Sequence, residues 1–280
     1  SFTFNYLKSA CGSISSLTKN PIFSSATWNG DTLTLRFRKT NGMCGYTASY
    51  NGNTLSLQFN NPPSGIAGSR IVIDPGHGGT DPGSEGSGLW EYEMTWQVAN
   101  ELVDLLEQDG RYAPVLTITE EESQNSDMPR VEPAERAQRA NDAGAVLLFS
   151  IHGNSEPSGT ADGFECYAIP PGQQYHDESV ALARLTAQKI SQTGQPLRGQ
   201  DGVRYIYFDT YDNRMVYESS DETPRNEPTF RLLADADCPA VLVEQCFLTN
   251  PQDAARLATP SGAKQAAKAY YEAICEWMNS

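Results

Sequence analysis

Apolar and polar residues alternate strictly in two short stretches near the beginning of the chain. Thr32 to Arg38 places its apolar side chains on one face, and Thr54 to Gln58 repeats this pattern. A period of two predicts β-strands. The left-handed backbone that tight hairpin turns require is supplied by Asn-Gly pairs at 29–30, 41–42 and 51–52. We therefore expect a small N-terminal β module over residues 1–67.

From residue 70 onward, short continuous apolar runs alternate with stretches of helical periodicity. The apolar runs, typical of strands buried on both faces of a parallel sheet, are residues 71–73, 145–151 and 240–243. The predicted helices cover residues 91–108, 179–191 and 262–277. This alternation predicts an α/β fold, a three-layer sandwich with a central, mostly parallel or mixed sheet flanked by helices. We assign this domain to residues 68–280.

Residues 200–229, rich in Asp, Tyr, Arg and Pro, show neither period, and we predict a long loop or insertion there. Loops of this length are often functional, so one hypothesis is that the segment covers a binding site. His176 belongs to no recognisable motif and is predicted to lie in a loop.

The composition excludes several classes of protein. The chain has 280 residues, of which 39% are hydrophobic, enough for a buried core. Its formal net charge of −15 argues against binding to nucleic acid or to an anionic membrane surface. No apolar run approaches the roughly 18 residues of a membrane-spanning helix. The six cysteines form no Cys-x-x-Cys pair, which argues against a zinc ribbon, and a disulfide between Cys11 and Cys44 is left open.

Two of the three histidines directly follow predicted buried strands. His77 lies in a glycine-rich turn after residues 71–73, and His152 comes directly after the run 145–151. In open α/β sheets, ligands bind beyond the carboxyl ends of the strands, so both side chains are expected at one edge. Each histidine taken alone is more often a core or loop residue that is only hydrogen-bonded within the protein, and it is the matching placement of both that favours a site.

Two carboxylates join these histidines as candidate site residues. The spacing of Glu91 from the apolar positions of the 91–108 helix places it on the buried face, whereas Glu93 falls on the polar face. Glu244 follows the 240–243 run, where burial raises a carboxyl pKa toward that of a general base. The alternatives are a helix-dipole interaction for Glu91 and a structural ion pair for Glu244.

Two histidines and one glutamate form a ligand set of catalytic zinc, which leaves one position open for water. A nearby carboxylate can take the proton of that water, so the combination predicts metal-assisted hydrolysis of a carbonyl compound. The chain contains no His-Glu-x-x-His, Gly-x-Ser-x-Gly or P-loop motif. These absences argue against thermolysin-like, serine-hydrolase and NTPase chemistry.

Four ordered motifs within residues 70–280 resemble the zinc-dependent N-acetylmuramoyl-L-alanine amidases. They are Ile71-Val72-Ile73-Asp74-Pro75-Gly76-His77-Gly78-Gly79, Gly88-Leu89-Trp90-Glu91, Ser150-Ile151-His152-Gly153-Asn154 and Pro239-Ala240-Val241-Leu242-Val243-Glu244. The resemblance implies a six-stranded sheet and hydrolysis of the amide between N-acetylmuramic acid and L-alanine in peptidoglycan. It also implies that His77, Glu91 and His152 hold one zinc ion per chain and that Glu244 is the catalytic base. Asp74 and Asn154 would support these residues.

The same resemblance implies a bacterial autolysin of the cell envelope or extracellular space, with peptidoglycan or muropeptides as its partner. We expect a monomer that binds no nucleic acid and has no transmembrane segment. The sequence begins without an initiator Met or a signal peptide, so any export signal is expected outside it. The N-terminal module is similar to β-rich modules that localise such enzymes to the envelope.

Two departures from the family pattern concern Cys246, where glycine is usual, and residues 200–229, which are longer than the usual connection. Two other functions stay open at this point. One is a zinc peptidase that acts on wall peptides with the same ligands, and the other is a catalytically silent wall-binding module. Release of intact stem peptide beginning with L-alanine distinguishes an amidase from a peptidase, and bound zinc argues against the silent module.

Overall fold

A computed structural model of the chain describes residues 2–3, 23–29, 32–37, 46–51, 54–59 and 68–279. The chain forms two compact units, Ser1–Ala67 and Gly68–Ser280. Among the described residues, no helix combines the length and the hydropathy that a membrane span requires.

The N-terminal unit contains five described strands: β1 (Phe2–Thr3), β2 (Phe23–Asn29), β3 (Thr32–Phe37), β4 (Tyr46–Asn51) and β5 (Thr54–Phe59). β2 and β3 pair antiparallel, and so do β4 and β5. In each hairpin the two strands are separated by two residues, as expected from the Asn-Gly pairs. The two predicted strands are therefore confirmed. Cys11, Cys44, the Asn-Gly pair at 41–42 and the predicted linker 61–65 lie outside the described residues.

The larger unit is built on a mixed seven-stranded sheet. The strands of this unit are β6 (Ser69–Pro75), β7 (Glu85–Gly86), β8 (Leu89–Trp90), β9 (Tyr112–Leu116), β10 (Leu147–Asn154), β11 (Glu165–Ala168), β12 (Val203–Phe208), β13 (Arg214–Glu218) and β14 (Ala240–Phe247). Of these, β7 and β8 form a small separate hairpin, and the others form the seven-stranded sheet. The order across the sheet is β13-β12-β11-β14-β10-β6-β9. Four of the six neighbouring pairs are parallel, and only β11–β14 and β12–β13 are antiparallel.

Helices cover both faces of this sheet. They are α1 (Glu91–Asp109), α2 (Glu120–Gln124), α3 (Pro133–Ala143), α4 (His176–Ser191), α5 (Arg231–Ala234), α6 (Pro251–Leu257) and α7 (Pro260–Trp277). Because side chains alternate along a strand, Ile71 and Ile73 pack with α1, α4 and α7, whereas Val72 packs in a second cluster with α3 and α5. The two cores confirm the predicted three-layer α/β sandwich.

Residues 200–229 are the main correction to the predicted fold. The segment holds β12 and β13, which form an antiparallel hairpin at one edge of the sheet. Consequently, the sheet has seven strands where the resemblance implies six. The sequence shows no alternation of apolar and polar residues along β12 because both faces of this strand are covered. Tyr205 and Tyr207 enter the core beside α1, α4 and α7, and Ile206 enters the core beside α3 and α5. Tyrosine, counted as polar in a two-class pattern, fills these core positions.

The other helical predictions are confirmed, with one correction. α1 ends before Gly110, whose φ of 74° gives the left-handed cap expected from the sequence. His176 does not lie in a loop, because α4 begins at this residue. Its Nδ1 lies 2.7 Å from the carbonyl oxygen of Ile169, and its Nε2 lies 3.1 Å from Glu222 Oε2. The histidine thus ties the start of the helix to the segment after β13.

Candidate active site

Three neighbouring parallel strands bring the predicted site residues to one edge of the sheet. β10 lies between β6 and β14 and runs parallel to both. His77 follows the end of β6, His152 lies near the end of β10, and Glu244 is the residue of β14 that pairs with His152. The expected convergence at the carboxyl edge of the sheet is therefore observed.

Glycines allow these side chains to approach one another. A Cβ atom at Gly76 would lie 2.4–2.7 Å from ring atoms of His152. A Cβ atom at Gly83 would lie 2.8 Å from both Glu91 and His77, and Gly83 has a φ of 69°, which favours glycine. His77 itself has a φ of 64°, uncommon for a residue with a side chain. Such a conformation at a strand end is typical of a functional turn.

The donor atoms of His77, Glu91 and His152 form a compact triangle. Glu91 Oε1 lies 3.0 Å from His77 Nε2 and 3.1 Å from His152 Nδ1, and these ring nitrogens are 3.3 Å apart. At metal–ligand distances of about 2.0–2.1 Å, tetrahedral coordination separates the ligand atoms by about 3.3 Å. The triangle therefore fits one metal ion, and two imidazoles with one carboxylate are suitable donors for it.

Glu91 is held in place in its ionised form. It begins α1, and only 3% of its side chain is exposed. Oε1 accepts a hydrogen bond from the Gly153 N–H at 2.9 Å, and Oε2 accepts one from the Ser84 N–H at 3.0 Å. Burial alone raises the pKa of Glu91, but His152 and His77 outweigh it and lower this pKa well below its usual range. The prediction that Glu91 lies on the buried face is confirmed.

Asp81, which the sequence pattern did not indicate, supports His77 at its other ring nitrogen. Asp81 Oδ2 lies 3.1 Å from His77 Nδ1. Burial lowers the pKa of His77, but Asp81 and Glu91 outweigh this effect and raise it to about 10. A carboxylate in this position fixes the tautomer and orientation of a metal-binding histidine. Asp81 lies in a loop without periodicity, so only its four-residue spacing from His77 could have drawn attention to it.

Asp74 supports the site through Arg136. The buried Asp74 carboxylate accepts hydrogen bonds from Thr117, from Ser150 at 2.6 Å and from Arg136 Nη1 at 3.0 Å. Arg136 then donates to the carbonyl oxygens of Pro75 and His77, each at 2.6 Å. The guanidinium therefore fixes the backbone of the turn that carries His77. This cation also lowers the pKa of Asp74, against the opposing effect of burial.

Asn154, the other predicted supporting residue, contacts Glu165. Its Nδ2 donates to Glu165 Oε1 at 2.5 Å. Glu165 is buried and accepts a hydrogen bond from Arg204 at 2.8 Å. In the antiparallel register of β11 and β14, it lies directly opposite Glu244. A second buried carboxylate thus lies beside Glu244, and sequence analysis did not find it because its strand is only four residues long.

Glu244 is half-buried, and its electrostatic surroundings differ from those of Glu91. Its Oε2 has no hydrogen-bond partner within the part of the chain that the structure describes. Burial raises the pKa of Glu244 well above its usual range, and the negative charges of Glu91 and Glu165 raise it further. A carboxyl group with a raised pKa and an unpartnered oxygen is suited to accept a proton and to return it.

These residues line a cleft of about 610 Å³. The three donor residues and Glu244 all contribute to its surface. The hairpin and the segment that follows it contribute another part, including Phe208, Asp212, Arg214, Pro228, Phe230 and Arg231. The segment that sequence analysis predicted as a long loop therefore does line the site.

Comparisons with known proteins agree with this arrangement. A family model described as N-acetylmuramoyl-L-alanine amidase matches residues 71–276. The sporulation-specific N-acetylmuramoyl-L-alanine amidase of Bacillus subtilis is 29% identical over 212 residues, which cover 75% of this chain and 68% of that protein. The amidase LytC of the same organism is 29% identical over 208 residues, covering 74% of this chain and 35% of that longer protein.

Solved structures share the fold. The amidase AmiC2 of Nostoc punctiforme has a TM-score of 0.58 at 27% identity, over 76% of this chain and 98% of that one. Ami1 from Mycobacterium smegmatis has a TM-score of 0.60 at 24% identity, over 77% of this chain and 99% of that one. The family model covers well over half of the chain, so this protein belongs to the N-acetylmuramoyl-L-alanine amidases, which are cell-wall hydrolases.

Proposed function

We propose that the chain hydrolyses the amide between the lactyl group of N-acetylmuramic acid and L-alanine with one zinc ion per chain. His77, Glu91 and His152 would hold the ion, and Glu244 would be the general base. One observation carries the proposal. Three donor atoms lie 3.0–3.3 Å from one another, and beside them is the carboxyl group of Glu244, whose Oε2 is unpartnered. Bound zinc supplies Lewis acidity, which lowers the pKa of water from 15.7 to about 7 and polarises a carbonyl group.

The residues of this chain divide the remaining chemistry between them. Glu244 takes a proton from the attacking water as the new C–O bond forms at the lactyl carbonyl. When the C–N bond breaks, the same carboxyl group returns that proton to the leaving amine of L-alanine. The raised pKa of Glu244 suits both steps, since a carboxyl group that holds a proton more tightly is a better base in the first step and can carry that proton to the second. Arg136 and Asp81 keep His77 in position throughout.

The test compares wild type with Glu244→Gln on defined muropeptides, with bound zinc quantified in both proteins. We expect about one zinc per chain in each and a loss of stem-peptide release of about 10²- to 10⁴-fold in the variant. Full activity of Glu244→Gln would contradict the assignment of the base. Products cut within the peptide, rather than intact peptide beginning with L-alanine, would instead indicate a peptidase.

A matched pair on α1 tests the ligand assignment. Glu91→Gln removes the shared anionic donor and should abolish stoichiometric zinc binding. Glu93→Gln removes an equal charge from the same turn, where Glu93 only accepts a hydrogen bond from the N–H of Trp90, and should retain the ion. Equal zinc content in the two variants would refute the proposed ligand set.

We also propose that the enzyme acts in the cell envelope and that residues 1–67 help to hold it there. Membership in a family of cell-wall hydrolases and the separate N-terminal unit support this proposal. Cosedimentation with purified cell walls tests it. The full chain should sediment with the walls more than residues 68–280 alone, and equal sedimentation would refute a targeting role.

A further inference from the structure

Within residues 68–279 of this strongly acidic chain, four arginines line the catalytic cleft: Arg130, Arg136, Arg214 and Arg231. Three of them are already paired. Arg130 binds Glu132 and Asp81, Arg136 binds Asp74, and Arg231 binds Asp235. Their charges are therefore largely neutralised by partners within the protein.

Arg214 differs from the other three. No carboxylate of residues 68–279 lies within ion-pair distance of its guanidinium, and the described chain offers that group no hydrogen bond. The side chain is exposed, and its positive charge acts on Glu244. An arginine has five N–H donors, and in this cleft they are free for a ligand.

The position of Arg214 is fixed by the hairpin that carries it. Arg214 begins β13 and pairs with Phe208 of β12. The connecting turn is closed by Asp209, whose carboxylate accepts hydrogen bonds from the backbone N–H groups of Tyr211 and Asn213 at 2.8 and 2.9 Å. The Asp209 N–H donates to the carbonyl oxygen of Asn213 at 3.0 Å. A guanidinium on an ordered turn loses little backbone freedom when it binds a ligand.

We infer that Arg214 binds a free carboxylate on the peptide of the substrate and so selects stem peptides by charge. The inference rests on the proposed function. The lactyl carboxyl group of the sugar is consumed in the scissile amide, so a carboxylate close to that bond belongs to the peptide. The residue after L-alanine lies within about 7 Å of the bond, since an extended chain spans at most about 3.6 Å per residue. Guanidinium and carboxylate groups form strong, bidentate hydrogen bonds.

The experiment uses two muropeptides that differ only in the carboxyl group of the residue after L-alanine, free in one and amidated in the other. Release of stem peptide is measured for wild type, Arg214→Gln, Arg214→Lys and Arg231→Gln. We expect wild type to prefer the free carboxylate about tenfold in kcat/KM, the worth of one charge-assisted hydrogen bond in a partly exposed site. The preference should lie in KM, because the contact is present in the ground state as well as the transition state.

Arg214→Gln should lose this preference, and Arg214→Lys should keep only part of it, because a lysine keeps the charge without the planar fork. Arg231→Gln is the matched control: it removes a cleft-lining charge that is already paired with Asp235, and it should leave the preference unchanged. A wild type without preference, or an Arg214→Gln variant that keeps it, overturns the inference while stem-peptide release still supports the proposed function. Wild type that releases peptide from neither substrate overturns both.

Discussion

Replacement of Arg136 by methionine should destabilise the larger unit and weaken metal binding together. Arg136 is buried, and its guanidinium makes four contacts: with Asp74, with the carbonyl oxygens of Pro75 and His77, and with that of Val131 at 2.9 Å. Methionine fills much of the same space but makes none of these bonds. The Asp74 carboxylate then remains buried without its cation.

The magnitude follows from the uncompensated charge. Removing one partner of a buried ion pair costs about 3–5 kcal/mol, far more than loss of an exposed pair. In a unit of this size, each kcal/mol lowers the melting temperature by about 2–4 °C, so the expected decrease is about 6–20 °C. Zinc affinity should fall as well, since the turn that presents His77 loses two hydrogen bonds to its backbone.

Urea unfolding of the metal-free protein measures the first effect, and competition with a chelator measures the second. Arg139→Met is the control on the same helix, because Arg139 pairs near the surface with Glu122 and Glu135 and should cost about 1 kcal/mol. Adding Asp74→Asn to Arg136→Met should cost less than the sum of the two single changes. Additive effects, or a loss below 1 kcal/mol for Arg136→Met, would refute the argument.

Two further predictions concern the effect of a glycine on zinc binding and the stability of the protein at acid pH. Gly83→Ala should abolish stoichiometric zinc binding, because its Cβ atom would lie 2.8 Å from the side chains of Glu91 and His77. Gly88→Ala should cost about 1 kcal/mol and keep the ion, since Gly88 has a similar φ of 77° but open space around it. Calorimetric titration with zinc compares the two, and equal zinc binding would contradict the steric reading. Hydrogen bonds from Arg139 lower the pKa of Glu122 from 4.5 to about 2. Because the pKa of Glu122 is lower in the folded state than in the unfolded state, the ionised carboxylate stabilises the fold. This stabilisation is complete above about pH 5 and is lost as the pH falls toward 2. The melting temperatures of Glu122→Gln and wild type should therefore approach each other as the pH falls. A difference that stays constant with pH would count against the lowered pKa of Glu122.

The residues with a local signal were predictable from the sequence. His77, His152 and Glu244 follow or end apolar runs, and Glu91 holds a fixed place in a helical period, so the geometry of a sheet edge brings them together. These signals depend on neighbours within about one turn or one strand, which the sequence displays directly.

The supporting contacts were not predictable in the same way. Asp74 and Arg136 are 62 positions apart, and Glu165 and Glu244 become neighbours only because β11 runs antiparallel to β14. Such pairs depend on the order of strands in the finished sheet, and no periodicity encodes that order. Strand β12 was missed for a different reason: it is covered on both faces, and Tyr205 and Tyr207, which fill one of these faces, look polar in a two-class pattern.

The proposed function gives two glutamates of one cleft opposite tasks, and their surroundings suit them to this difference. A metal ligand must be ionised, and Glu91 receives two backbone N–H groups and contacts two histidines, which together outweigh its burial. A proton carrier must accept a proton, and Glu244 has an unpartnered oxygen, partial burial and two carboxylates as neighbours. The two effects are linked, because the negative charge that suits Glu91 to metal binding also raises the pKa of Glu244. In the proposed mechanism, the anionic ligand beside the base therefore raises the pKa of the base, and no residue dedicated to that purpose is needed.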